Sequence, residues 1–508
     1  MKISLSRKEW TIVSIFIVLK LLIHFFTNTN YDLHRDSFLY FSLSENLDWG
    51  YASVPPFIGF ITKVSTFLFG YSKFSLNLFP VIVGAISILL IALIVKELGG
   101  KSTAIIIALM AFFFSPAYLR SNSLLQPVSF DQFFWLLSAY FFVRLINSQN
   151  TKYWILIMAT WGVGFMNKYL VAGYAFSFLV ALLISQHRRL VLSKYFLIGV
   201  FTGFIIVIPN LFWQYSHNWP VVHHFSELNQ NQLVNVSAIG FIIDQFVMNF
   251  PALVVWLTGL VVFLFFRKEQ KFSVLAVASV LVITLLLFVH GKSYYTLGAY
   301  TMLMAMGGYA IEKYYYRFMK PVVMVMIALL AIPLMPFSLP ILSLQAMEKY
   351  SAPMGDLTNR WEDGQVHAIP QDYADMTGWK ELSDIVIKTY ISLPPDIQKN
   401  CSIYTENYGQ AGAIYYYGMP FHLPRPISFS DNFLIWAPDT VVHENLIYVN
   451  DELGDIKFLF KDYVLKGEVK NRYFRENGVQ VYFCSQPVSD FKKFYKMKAK
   501  ELKKVYTR

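Results

Sequence analysis

The chain has 508 residues, of which 56% are hydrophobic, 18% aromatic and only 15% charged, with a formal net charge of +11. Soluble domains carry about a quarter charged residues, so this deficit, with a mean hydropathy of +0.44, excludes a soluble protein and indicates an integral membrane one. The positive charge is broken into short clusters between apolar runs, such as "QHRRLVLSK" and "RKEQK". That is the distribution of cytoplasmic loops under the positive-inside rule, and it argues against a nucleic-acid partner.

The first apolar run, 10–26, lacks a small-residue cleavage site and reads as an uncleaved span. Further candidates follow at 76–95, 102–118, 128–146, 153–166, 169–185, 194–213, 251–266, 272–290, 294–311 and 322–342. Each approaches the ~20 apolar residues that cross a bilayer, for about eleven spans. The stretches "PFIGFITKVSTFLFG" and "AIGFIIDQFVMNF" also suit helices lying flat at the interface. With Lys2, Arg7 and Lys8 inside, the other basic loops fall on the same side, which predicts a cytoplasmic N-terminus and an extracytoplasmic C-terminal part in a plasma (inner) membrane.

The expected architecture is therefore mainly α: a polytopic transmembrane helix bundle over 1–344 and a small extracytoplasmic α/β domain over 345–508. In that domain "CSIYTENYGQAGAIYYYG" reads as strand, turn and helix, while "NLIYVND" and "VQVYFCS" read as strands. The "YGQAG" turn is either a plain turn or a phosphate-holding helix start. Cys401 and Cys484 either pair or are two buried thiols. The basic C-terminal segment reads as a solvated or headgroup-facing helix.

Polar residues in or beside spans are costly, so each suggests function or a paired structural role. In the predicted topology they collect at one face: the first loop with Arg35 and Asp36, Asp131, Lys168, the loop carrying His217, and Lys292 with Tyr294 and Tyr295. A carboxylate can act as general base. Cations can hold a phosphate and stabilise the charge developing on it, and aromatic faces can stack on sugar rings. This set suits transfer from a lipid-linked phosphosugar. Each member also has a structural reading: Asp36 as a helix cap, Asp131 as a helix N-terminal charge, Lys168 as a snorkelling side chain. His217, His223 and His224 lack metal-ligand spacing, so no metal ligands are assigned and a divalent cofactor is unsupported.

"HRDSFLYFSLSENLDWGYASVPPF" resembles the first-loop signature of bacterial family 39 glycosyltransferases, in the superfamily of protein O-mannosyltransferases and aminoarabinose transferases with the GT-C fold. The likeness continues through "LLQPVSFDQFFW", "NKYLVAGY", "PNLFWQYSHNWPVVHHFSELNQNQ" and "GKSYYTLGAY", then less specifically through "QDYADMTGW" and "ENYGQAG". The resemblance implies a membrane enzyme that moves a sugar from a polyprenyl-phosphate donor to a lipid, glycan or protein acceptor, with inversion and with Asp36 as base. Arg35, Lys168, His217, Lys292, Tyr294 and Tyr295 would bind substrate, and Asp131 would assist catalysis. Where the family often has a second acid, this chain has Ser37, which weakens the case for a metal held by an acidic pair; before the prolines it has Val54. The alternatives are a polytopic lipid or solute transporter, for which no convincing internal repeat is visible, and an inactive relative serving envelope assembly.

Overall fold

The structure, a computed structural model, describes residues 4–27, 30–231 and 233–507. Its chain divides into two compact units: Met1–Asn28, Asn77–Leu211 and Leu228–Ile341 form the first, and Thr29–Leu76, Phe212–Glu227 and Leu342–Arg508 the second.

The first unit is helical. Every apolar stretch expected to span is largely helix, because backbone groups in lipid must be satisfied within the segment. Among the described residues, five helices are long and apolar enough to cross a membrane: Arg7–Thr27, Lys73–Glu97, Lys194–Ser216, Arg267–Phe288 and Met319–Ser338. A bent pair, Ala238–Val247 and Phe250–Phe265, turns by 69° and makes a sixth candidate. Pro251 stands at that bend, where its ring and missing N–H interrupt the helix ladder.

Helix Leu297–Tyr314 is the core of this unit, with every residue from Leu297 to Ile311 buried. A side chain at Gly307 would collide with the Val255 carbonyl, and one at Gly308 with that of Ala104. Small residues there let helices approach closely enough for van der Waals packing, which holds bundles together where lipid offers no hydrophobic contrast. Several buried charges have close polar partners. Lys20, fully buried in the first helix, donates to the Tyr118 carbonyl at 3.0 Å. Glu269 accepts from Lys313 and Tyr314, each at 2.6 Å, and Arg144 donates to Glu97 at 2.9 Å.

The second unit contains a four-stranded sheet of order β1 (Cys401–Thr405), β2 (Asn445–Asn450), β4 (Gln480–Pro487), β3 (Phe460–Glu468). β1 pairs with β2 in parallel, and the other two pairings are antiparallel. Cys401 is level with Asn445 and Cys484 with the next residue, Leu446. Alternation therefore points the two thiols to opposite faces of the sheet, and both are free and buried. Helix Tyr408–Gly418 follows β1 and lies against the first-loop helix Arg35–Ser44. A Cβ on Gly412 would sit 2.8 Å from the backbone of Phe38, so only glycine permits this approach.

Candidate active site

Arg35 and Asp36 open the helix Arg35–Ser44, where an acid in the first turn complements the helix dipole. His34 is the N-cap, and its Nδ1 accepts from the Asp36 amide at 3.2 Å. The Asp36 carboxylate accepts from the Tyr408 hydroxyl at 3.0 Å and stands 3.8 Å from the His34 ring, yet it retains 28% exposure. The Arg35 guanidinium lies over the Tyr408 ring, 4.4 Å from its centroid. Burial opposes the Arg35 charge, but Tyr408, Glu476, Asp375 and Asp36 together hold its pKa above the ordinary value.

A second acidic group backs this one. The Asp372 and Asp375 carboxylates each lie 3.8 Å from His34 Nε2. Asp375 also accepts from Arg475 at 3.1 Å, and its carbonyl accepts from the Arg35 amide at 2.9 Å. Burial alone would lower the His34 pKa; the carboxylates of Asp372, Asp36 and Asp375 outweigh it and raise it. Protonation of Nδ1 would exchange the amide of Asp36 for its carboxylate.

The rest of the first loop is tied down from two directions. Asn432 accepts from the Ala52 amide at 2.8 Å, and Gln214 donates to the Tyr51 carbonyl at 3.3 Å. Beside Asn432, Asp431 has a φ of 51°, a conformation that L-residues rarely adopt away from functional or turn positions. Burial raises the Asp431 pKa, with the charge of His224 acting against it. His217 turns back on its own helix: its Nδ1 lies 2.9 Å from the Trp213 carbonyl and its ring stacks on Trp213 at 4.1 Å. Among the described residues no contact joins it to Arg35 or Asp36.

The other predicted residues lie together in the first unit. Asp131, 3% exposed in helix Pro127–Ser148, accepts from the Trp135 indole at 3.1 Å. Lys168 follows the end of helix Tyr153–Asn167, and its ammonium lies 4.0 Å from the Tyr295 centroid and 5.2 Å from that of Tyr294. Lys168 feels the opposite charge of Asp131 and the like charge of Lys292. The Tyr294–Tyr295 turn is pinned through its flanks: Ser293 donates to Asp244 and Thr296 to Gln245, each at 2.6 Å. Within the first unit the structure thus gathers Asp131, Lys168, Lys292, Tyr294 and Tyr295, and within the second it sets Arg35 and Asp36 side by side.

The sequence reading missed His34, Tyr408 and Asp431 as groups acting on Asp36, and Asp375 with its partner Arg475 behind His34. The only hint lay in "QDYADMTGW" and "ENYGQAG", which carry Asp375 and Tyr408. The "YGQAG" turn has its own cap: Asn407 accepts from the amides of Gly409 and Gln410 at 2.9 and 3.2 Å. Among the described residues, no group of three or more His, Cys, Asp or Glu is placed to hold a metal ion.

The family model described as dolichyl-phosphate-mannose-protein mannosyltransferase matches residues 53–213. That stretch holds Asp131 and Lys168 and begins after Asp36. No curated protein matches the sequence. Among solved structures, the chain is similar to ArnT from Cupriavidus metallidurans bound to undecaprenyl phosphate, with a TM-score of 0.63, 13% identity and coverage of 94% of this chain and 98% of that one. It is similar to the apo state of the same ArnT with a TM-score of 0.59, 13% identity and coverage of 93% and 97%.

Proposed function

We propose, for a chain that is an integral membrane glycosyltransferase with the GT-C fold, that it transfers a sugar from a polyprenyl-phosphate donor to an acceptor outside the membrane, with inversion. Asp36 takes the proton from an acceptor hydroxyl or amine as that atom bonds to the anomeric carbon. The bond from that carbon to the phosphate oxygen breaks on the opposite face, and polyprenyl phosphate leaves. The observation that carries this reading is the Asp36 carboxylate itself, oriented by the Tyr408 hydroxyl while still open to an incoming acceptor.

Lys168 and Lys292 offer positive charge to a lipid-linked phosphate within the first unit, and within the second Arg35 offers it beside Asp36. Tyr294 and Tyr295 offer aromatic faces, Asp131 orients Lys168, and His217 contacts substrate. The ArnT with bound undecaprenyl phosphate supports the choice of donor, and the one-sided distribution of basic loops supports a cytoplasmic N-terminus.

The test incubates purified protein with labelled polyprenyl-phosphate pentoses and hexoses, with an envelope lipid and glycan extract as acceptor. Release of polyprenyl phosphate together with label in the extract is the expected result. No release from any donor, in a preparation that melts cooperatively, would count against the reading.

A further inference from the structure

Away from Asp36, the second unit holds a cavity of about 260 Å³ between the β1–β2 face of the sheet and the C-terminal helix Phe491–Lys503. Its walls are aromatic. Tyr404 and Tyr448, level with each other on β1 and β2, stack with centroids 5.8 Å apart and planes 11° apart. Phe429 meets Tyr404 edge-on at 5.6 Å, and Tyr495 lies 5.5 Å from Phe429. The floor is fixed by its own hydrogen bonds: Asn450 donates to the Tyr448 hydroxyl at 2.8 Å, and Tyr495 donates to the Pro438 carbonyl at 2.9 Å.

The rim is different. Glu406, Asp455 and Lys498 line the opening and are exposed. Among the described residues, neither these three side chains nor the Tyr404 hydroxyl has a hydrogen-bond or ion-pair partner. Partial burial beside Asp451, offset by Lys498, raises the Glu406 pKa. A small apolar cavity with a few convergent polar groups is the usual form of a small-molecule site. Donors and acceptors are both present, and both signs of charge, so the rim is not built for a phosphate or other anion. A lipid tail would strip water from four polar groups without replacing their hydrogen bonds. The volume falls below the ~300 Å³ at which sites for drug-sized ligands begin. A ring with apolar C–H faces and hydroxyls around its edge satisfies all of these conditions.

We propose that this cavity is a saccharide-binding site, one that engages a sugar ring of the acceptor. The acceptor role rests on the transferase reading; the binding of a saccharide does not. The ring stacks on the Tyr404 and Phe429 faces, while its hydroxyls bond to Glu406, Lys498 and the Tyr404 hydroxyl.

The test uses the full-length protein in detergent micelles and saturation-transfer NMR. The probes are glucose, galactose, mannose, glucosamine and N-acetylglucosamine, with octanoate as an apolar probe. At least one sugar should bind, and both Tyr404→Ala and Glu406→Gln should weaken it about tenfold, the loss produced by ~1.4 kcal/mol of removed contact. Glu406 is exposed, so Glu406→Gln should keep the wild-type melting temperature even if Tyr404→Ala folds poorly. Asp36→Asn should bind sugar as the wild type does. Binding of octanoate alone, no sugar binding, or sugar binding untouched by Glu406→Gln would overturn the proposal. Donor release with no sugar binding would overturn it while leaving the transferase reading intact, and sugar binding with no donor release would do the reverse.

Discussion

Tyr408→Phe isolates the contact that orients the candidate base. The substitution keeps the ring on which Arg35 rests, 4.4 Å from its centroid, and so preserves a cation–π contact worth about 0.5–2 kcal/mol. It removes only the hydroxyl that donates to Asp36 at 3.0 Å. A hydrogen bond to a charged group contributes about 1.5–3 kcal/mol. Asp36 is 28% exposed, so water replaces part of the loss and the low end applies. Because about 1.4 kcal/mol is tenfold in rate, kcat should fall about tenfold with the donor KM unchanged. The assay measures release of polyprenyl phosphate against donor concentration, with thermal melting as a control on folding. A kcat within about twofold of wild type, at unchanged melting, would show that the Tyr408–Asp36 contact does not serve the reaction.

Lys168→Met should act on the donor rather than on the base, raising donor KM about tenfold through loss of one charge-assisted phosphate contact, which steady-state kinetics reads directly. Gly412→Val forces side-chain atoms against the Phe38 backbone, which already lies 2.8 Å from a bare Cβ; overpacking of ~1–3 kcal/mol should lower the melting temperature and the transfer rate together. His34 provides a pH dependence. Its folded pKa lies above the ordinary ~6.5, so its charged form contributes stability that is complete below that pH and is lost as pH rises through the folded value. The melting temperature should fall more between about pH 6 and 9 in wild type than in His34→Asn, which retains a good N-cap.

Much of the fold was legible because lipid leaves a spanning chain few options, and runs near 20 apolar residues declare themselves as helices. The sheet was harder. β1, β2 and β4 show buried apolar residues, whereas β3 reads "FKDYVLKGE" with one buried residue, so no alternation marks it. Lys20 is conspicuous in the first apolar run, but its partner is a backbone carbonyl 98 residues away, which no local pattern reveals. The same limit applies to the candidate site. Asp36 stood out from its loop, while Tyr408 lies 372 positions later and reaches it only after the sheet and its helix have formed. For Gly409 and Gly412 the sequence left a plain turn and a phosphate-holding helix start both open. Their role is steric, since side chains there would strike Arg35 and Phe38. Asp131, Lys168, Lys292, Tyr294 and Tyr295 were individually more accessible, because each stood out as a costly polar or interfacial residue near the end of an apolar run.

The central claim is that Asp36 is the base of a polyprenyl-phosphate sugar transfer, and Asp36→Asn tests it most directly. The side chain keeps its size and can still accept from Tyr408, but it cannot take a proton from an acceptor. With the labelled donor that the wild type consumes, acceptor-dependent release of polyprenyl phosphate should fall by about 10²–10⁴, the usual worth of a general base, with wild-type expression and melting. Turnover at the wild-type rate would contradict the account.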